Sequence, residues 1–146
     1  MAKFKYRMQN ILNVKMKLES QAKIAYSVAN QKYMEEQKKL QEILLRRTGY
    51  ERRLKELMSG TIDVREINRA RADVNTIKTL MRRQMIEVHK AEKVVEDARK
   101  ALNEVMQERK THEKLKEKQL ELFKEELKAA ESKEIDELVS YTYNSR

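Results

Sequence analysis

The chain has 146 residues, with 33 Lys and Arg against 24 Asp and Glu for a formal net charge of +9, and it carries 2 Gly, 6 Tyr, 2 Phe and no Pro, Cys or Trp. The absence of cysteine excludes a disulfide framework, a thiolate metal site and a cysteine nucleophile, and so few aromatic side chains cannot fill a thick globular core. Turn-forming residues are equally scarce, so the expected fold is all-α: long helices with about one reversal.

In chain order, the first predicted helix covers about residues 4–57. Phe4, Ile11, Leu18 and Ala25 recur at intervals of seven, with Val14 and Val28 offset by three. The stripe then drifts by one residue to Tyr26, Tyr33, Leu40, Arg47 and Leu54, with Ala29, Ile43, Tyr50 and Leu57 offset by three. Such a slip is what a helix of about 3.6 residues per turn accumulates against a strict seven-residue repeat. Gly49 is a rival break, but it is flanked by Arg46-Arg47 and Arg52-Arg53 without a capping pattern, so the helix is expected to run through it.

The strongest punctuation is Met58-Ser59-Gly60-Thr61-Ile62-Asp63, with Gly60 suited to a left-handed helix end and Asp63 to the next N-cap. Asp63 and Glu66 form a capping-box variant, in which Asp63 accepts from the third helical position and Glu66 reaches back; Thr61 could begin the helix two residues earlier. The second predicted helix covers about residues 64–140, followed by a short frayed end. Ile67, Val74, Met81, Val88, Val95 and Leu102 occupy one column of a seven-residue repeat, and Ala70, Ile77, Gln84, Ala91, Ala98 and Val105 the other. Beyond Arg109 the apolar positions spread over a wider face through Leu115, Leu120, Leu122, Phe123, Leu127, Ile135 and Leu138.

Two helices joined by a few residues must run antiparallel, which defines a single coiled-coil hairpin over residues 1–146. Position n of the first arm should meet roughly position 121 − n of the second, at about 1.5 Å of rise per residue. That register places Phe4 near Glu117 and leaves about 25 residues of the second helix projecting. Because each arm covers the other's seam, a monomer is expected.

Little in the chain suggests catalysis. His89 and His112, the two histidines, fall on different faces, so no metal site is expected; His112 continues a seam column and, like Gln84, could help to set register. Ser59-Gly60-Thr61 lacks the first glycine and the lysine of a phosphate-binding loop. Paired carboxylates such as Glu35-Glu36, Glu96-Asp97 and Glu125-Glu126 are solvated-face residues of a highly charged helix. The expectation is therefore a non-enzymatic protein with no cofactor. Residues 1–57 carry 14 basic and 6 acidic side chains, whereas residues 111–146 carry 7 and 9, so a basic arm faces an acidic tail. No nucleic-acid-reading motif accompanies the basic charge, and the tyrosines are not interleaved with it as a stacking platform would require. A generic coiled-coil scaffold or adaptor, and more remotely a nucleic-acid-associated helix, stay open as alternatives. No apolar run approaches the ~20 residues of a membrane span, and Met1 to Arg7 is not followed by the apolar region of a secretory leader, so a cytoplasmic protein is expected.

Phe4-Lys5-Tyr6-Arg7-Met8 followed by Ile11-Leu12, together with Lys114, Leu115, Lys118 and the run Glu131-Ser132-Lys133-Glu134-Ile135-Asp136-Glu137-Leu138, resembles the FliJ family of flagellar protein-export components. The resemblance implies a hairpin similar to the terminal-helix coiled coil of the rotary ATPase γ subunit, without the α/β domain that a γ subunit inserts between its helices. It further implies docking with a hexameric export ATPase, contact with the membrane export gate and handling of export chaperones, at the cytoplasmic face of the inner membrane at the flagellar base.

On that implication the residues expected to meet the ATPase are Phe4, Tyr6, Arg7, Ile11 and Leu12 at the start, and Leu120, Leu122, Phe123, Leu127, Glu131, Lys133, Asp136 and Glu137 toward the end. Leu120, Leu122, Phe123 and Leu127 form an apolar patch that the first arm is too short to cover. Lys3, Lys5, Arg7, Lys15 and Lys17 form a basic collar beside it, and Glu131, Glu134, Asp136 and Glu137 an acidic tip beyond it. The export-gate contact is expected near the turn, at Arg69, Val74, Ile77 and Arg83, where Arg65, Arg71 and Arg82 add to the basic surface.

Overall fold

The computed structural model describes residues 3–144. They form two long helices, α1 (Gln9–Leu57) and α2 (Val64–Asn144), packed against each other as an antiparallel hairpin. No strand occurs among the described residues. The ends of the expected 1–146 span, including the last two residues of the supposed frayed end, lie outside the described residues, and α2 is helical as far as Asn144. The chain divides into two compact units, one of Ala22–Leu102 and one of Met1–Gln21 with Asn103–Arg146.

The Ala22–Leu102 unit contains the turn. α1 runs unbroken through Gly49 and ends at Leu57. The Met58 N–H reaches the Leu54 carbonyl at 3.2 Å, and both the Ser59 N–H and its hydroxyl donate to the Glu56 carbonyl, at 3.2 and 2.9 Å. Gly60 follows with φ of 98°, a left-handed conformation that a side chain disfavours. Asp63 caps α2 by accepting from the Arg65 N–H at 3.0 Å. That donor is at the second helical position, not the third as the capping-box reading proposed; an N-cap carboxylate can use either.

The seam of this unit follows α2 as its spacing predicts. Ala70, Val74, Ile77 and Ala91 are buried, Ile77 to 1%, while Ile67, Met81, Gln84, Val88, Val95, Ala98 and Leu102 are half-buried. From α1, Ala29 is buried, and Tyr26, Tyr33, Leu40, Ile43, Tyr50, Leu54 and Leu57 are half-buried. One layer is polar. Glu36 is buried on the seam, where the Gln84 amide donates to its carbonyl oxygen at 2.9 Å and to its carboxylate at 2.6 Å. Lys32 and Lys39 stand 3.0 and 3.4 Å from the same carboxylate. The Gln84 hydrogen bond, aided by Lys32, holds the Glu36 carboxyl down at about 2. One turn layer on, the Arg47 guanidinium bonds Glu51 at 2.9 Å and lies 3.1 Å from the Met81 sulfur.

In the other unit the chain departs from expectation twice. α1 starts at Gln9, so Lys3 to Tyr6 are not helical; the Gln9 N–H closes the first turn on the Tyr6 carbonyl at 3.1 Å. Non-helical chain can advance about 3.3 Å per residue against about 1.5 Å in a helix. Phe4 therefore reaches past Glu117 to Phe123, with ring centroids 5.6 Å apart. The second departure is the register. Leu12 and Glu19 are buried and Lys15 is half-buried, whereas Ile11, Val14 and Leu18 are exposed; in the first unit Ala25 and Val28 are exposed as well. The supposed one-residue drift is absent. The column Tyr26, Tyr33, Leu40 simply continues backward at seven through Glu19 to Leu12. Two charged residues can occupy seam positions because α2 supplies partners: Lys15 bonds Glu108 at 2.7 Å, and Arg109 donates to the Glu19 carboxylate.

The two glycines should respond to alanine in opposite directions. Neither would meet an atom within 4 Å of an added Cβ, so only the backbone decides. Gly60→Ala should lower stability by about 1–2 kcal/mol, and Gly49→Ala, inside a helix, should raise it by about 1 kcal/mol, both measurable by urea unfolding. Glu36 predicts a pH dependence. Its carboxyl sits near 2 instead of the usual 4.5, so its contribution is complete above the usual value and is lost as pH falls toward about 2. In Glu36→Gln the fall in Tm across that window should be shallower than in the parent.

Candidate docking site

The unit that unites the start of the chain with residues 103–144 gathers most of the residues expected to meet an ATPase. Phe4 and Phe123 pack at 50° between ring planes, a tilted contact at a centroid separation common for aromatic pairs. Tyr6 is buried and donates its hydroxyl to the His112 carbonyl at 3.4 Å. Leu12 is buried on the seam two turns further in. These three anchor the non-helical start of the chain to α2; of the set, Tyr6 and Leu12 are thereby structural, with little side chain left for a partner. Arg7 and Ile11 are exposed.

On α2, the expectation that the first arm leaves the whole apolar patch uncovered needs correction. Phe123 is half-buried under Phe4, and Leu120 is half-buried too, because the non-helical residues extend the reach of the first arm. Leu122 and Leu127 are exposed. Leu122 lines an open groove with Phe4, Phe123, Lys3, Lys5, Arg7, Gln119 and Glu126, so Lys3, Lys5 and Arg7 of the basic collar border the apolar surface, while Lys15 and Lys17 do not line it. From Lys124 to Asn144 every residue is exposed, including Glu131, Lys133, Asp136 and Glu137.

Charge pairs hold this end in register. Lys15 keeps the Glu108 carboxyl below its usual range through a direct hydrogen bond. Arg109 binds Glu19 across the seam and Glu113 one turn along α2, at 2.9 Å for the latter, and both bonds strengthen its hold on its proton. Sequence reading missed Glu19 and Arg109 as a pair. The signal was present: both continue seam columns, from Leu12 and from Leu102, and carry opposite charge. His112 lies half-buried on the seam and His89 is exposed. Among the described residues no group of three His, Cys, Asp or Glu could hold a metal ion.

Near the turn, Arg69 and Arg83 are exposed, as are Arg65, Arg71 and Arg82. Val74 and Ile77 are buried against α1. Their side chains are committed to the seam, where their heptad spacing placed them, and so leave no surface for a gate contact.

Two long paired helices, with their available chemistry distributed over exposed faces, define an all-α helical-hairpin protein. Residues 4–146 match the family model described as "Flagellar FliJ protein", and the chain belongs to that family and is a component of the flagellar export apparatus. Among solved structures, a putative YscO homolog from Chlamydia trachomatis shares the fold, with a TM-score of 0.54 and 23% identity over 97% of this chain and 96% of that one. No curated protein matches the sequence. No helix among the described residues is long and apolar enough to cross a membrane.

Proposed function

We propose that this protein is a non-enzymatic part of the export apparatus that docks its chain-terminal end into a hexameric export ATPase, promoting ring assembly or activity. The observation that carries this reading is the run from Lys124 to Asn144, exposed at every residue, next to a groove where Leu122 stands among Lys3, Lys5 and Arg7. An exposed helix that retains Leu127, Ile135 and Leu138 beside an acidic cluster suits a partner surface. Apolar groups would supply the contact, and the basic collar and acidic tip would supply orientation and on-rate. The arginine-rich surface near the turn, centred on Arg69 and Arg83, is assigned to the membrane export gate, and the same reading extends to export chaperones as cargo partners. The protein would act in the cytoplasm at the membrane face of the flagellar base.

Leu122→Ser with Leu127→Ser should weaken ATPase binding about tenfold or more and remove any stimulation of ATP hydrolysis per ATPase subunit. The thermal transition should change little, since neither side chain is buried. Parent-like binding and stimulation would move the ATPase assignment to the turn end. Independently, charge reversal in Arg69→Glu with Arg83→Glu should weaken gate binding at unchanged helicity; unaltered affinity would reduce these arginines to solvating residues.

A further inference from the structure

Two exposed apolar helix faces of opposite charge lie in the same unit. The first is on α1: Ile11, Val14 and Leu18, spaced i, i+3, i+7, are 43%, 55% and 40% exposed. Ile11 and Leu18 flank Lys15 one turn to either side, and Lys15 bonds Glu108. Leu115 and Leu122, one and two heptads after Glu108, therefore lie on this same side of the seam, and both are exposed. Lys3, Lys5 and Arg7 precede the face, and Lys15 and Lys17 lie along it.

The second face is on the projecting end of α2. Ile135, Leu138 and Val139, spaced i, i+3, i+4, are 60%, 65% and 62% exposed. Glu131, Glu134, Asp136 and Glu137 precede and flank them. Because α2 is continuous to Asn144, this segment cannot fold back onto the α1 face of its own chain. A second copy can supply it. The match rests on size and charge: each apolar face is short, and the charged residues before and beside it are of opposite sign, Lys3, Lys5 and Arg7 on one and Glu131, Glu134 and Asp136 on the other.

We propose that the protein self-associates by laying residues 131–142 of each copy along the Ile11–Leu18 face of the other. Running the two segments parallel sets Ile135 beside Ile11 and Val139 beside Lys15, and it brings Glu131 to Arg7. The exchange is reciprocal about a two-fold axis, so it closes at a dimer. Each hairpin seam stays intact, and the association adds a modest, charge-assisted contact that depends on concentration and weakens with salt. It also covers the acidic tip, which the proposed ATPase contact uses, so the dimer and an ATPase-bound monomer exclude each other. The self-contact itself stands without the ATPase reading.

Sedimentation velocity of the full chain should show a monomer–dimer equilibrium that shifts toward monomer as salt rises. Ile11→Ser with Leu18→Ser, and separately Ile135→Ser with Leu138→Ser, should each weaken dimerisation about tenfold or more at unchanged helicity by circular dichroism. An equimolar mixture of the two variants should recover a heterodimer, since it restores one intact face and one intact tail. The natural absence of cysteine permits a second measurement that perturbs neither face. Lys17→Cys and Tyr141→Cys chains, mixed and treated with a short bis-maleimide, should crosslink mainly to each other. A strict monomer at all concentrations, failure of the mixture to associate, or dominant Tyr141→Cys homodimers, which would mean tails pairing with tails, would each overturn the proposal.

Discussion

The molecule depends on one constraint: a narrow stripe on each of two helices must be covered by the other, at a repeat of seven. A helix pair has no second layer, so only two columns per helix can be removed from water, and everything else stays solvated. The composition follows from this. Few aromatic groups are needed, since a two-helix seam is one side chain thick; it combines Ala, Val, Ile and Leu, with Ile77 buried most deeply, and half-buried Tyr26, Tyr33 and Tyr50. Turn formers are needed once, at Gly60 and Asp63, where the chain reverses.

A seam this thin tolerates charge only where the partner helix answers it. Glu36 is buried, yet it accepts from Gln84 and is neighboured by Lys32 and Lys39. Glu19 is buried and Arg109 binds it, with Glu113 completing the guanidinium's partners. A buried charge without such partners would be strongly destabilising, so each pair also penalises any slip of one helix along the other. A polar seam group can set register in this way. Within each unit the polar layer acts as a ruler: Gln84 with Glu36 in one, and Arg109 with Glu19 in the other, fix where α1 lies on α2.

Membership of the FliJ family and a hairpin whose apolar residues divide between seam and surface direct attention to the exposed faces. The consequence for mutational reading is that buried and exposed apolar residues must be kept apart. Val74 and Ile77 carry the fold. Leu122, Leu127, Ile135 and Leu138 are exposed and carry little of it.

The helical class, the single reversal, the cap at Asp63 and the α2 seam were legible in the sequence because they rest on local rules. Glycine and aspartate act within a few residues of themselves, and two heptad columns of six with eleven apolar residues in twelve have one helical interpretation. The register of the first arm was not legible. Counting apolar residues favoured Ile11, Val14 and Leu18 over Leu12, Lys15 and Glu19, since a charged residue looks unfit for a seam until its partner is known. That partner is about 90 positions away in sequence, at Arg109, and only the tertiary pairing of the helices brings it there. The same holds for Phe4, whose reach to Phe123 depends on a non-helical stretch laid along α2, and for the exposed faces, which are defined by what the seam leaves uncovered.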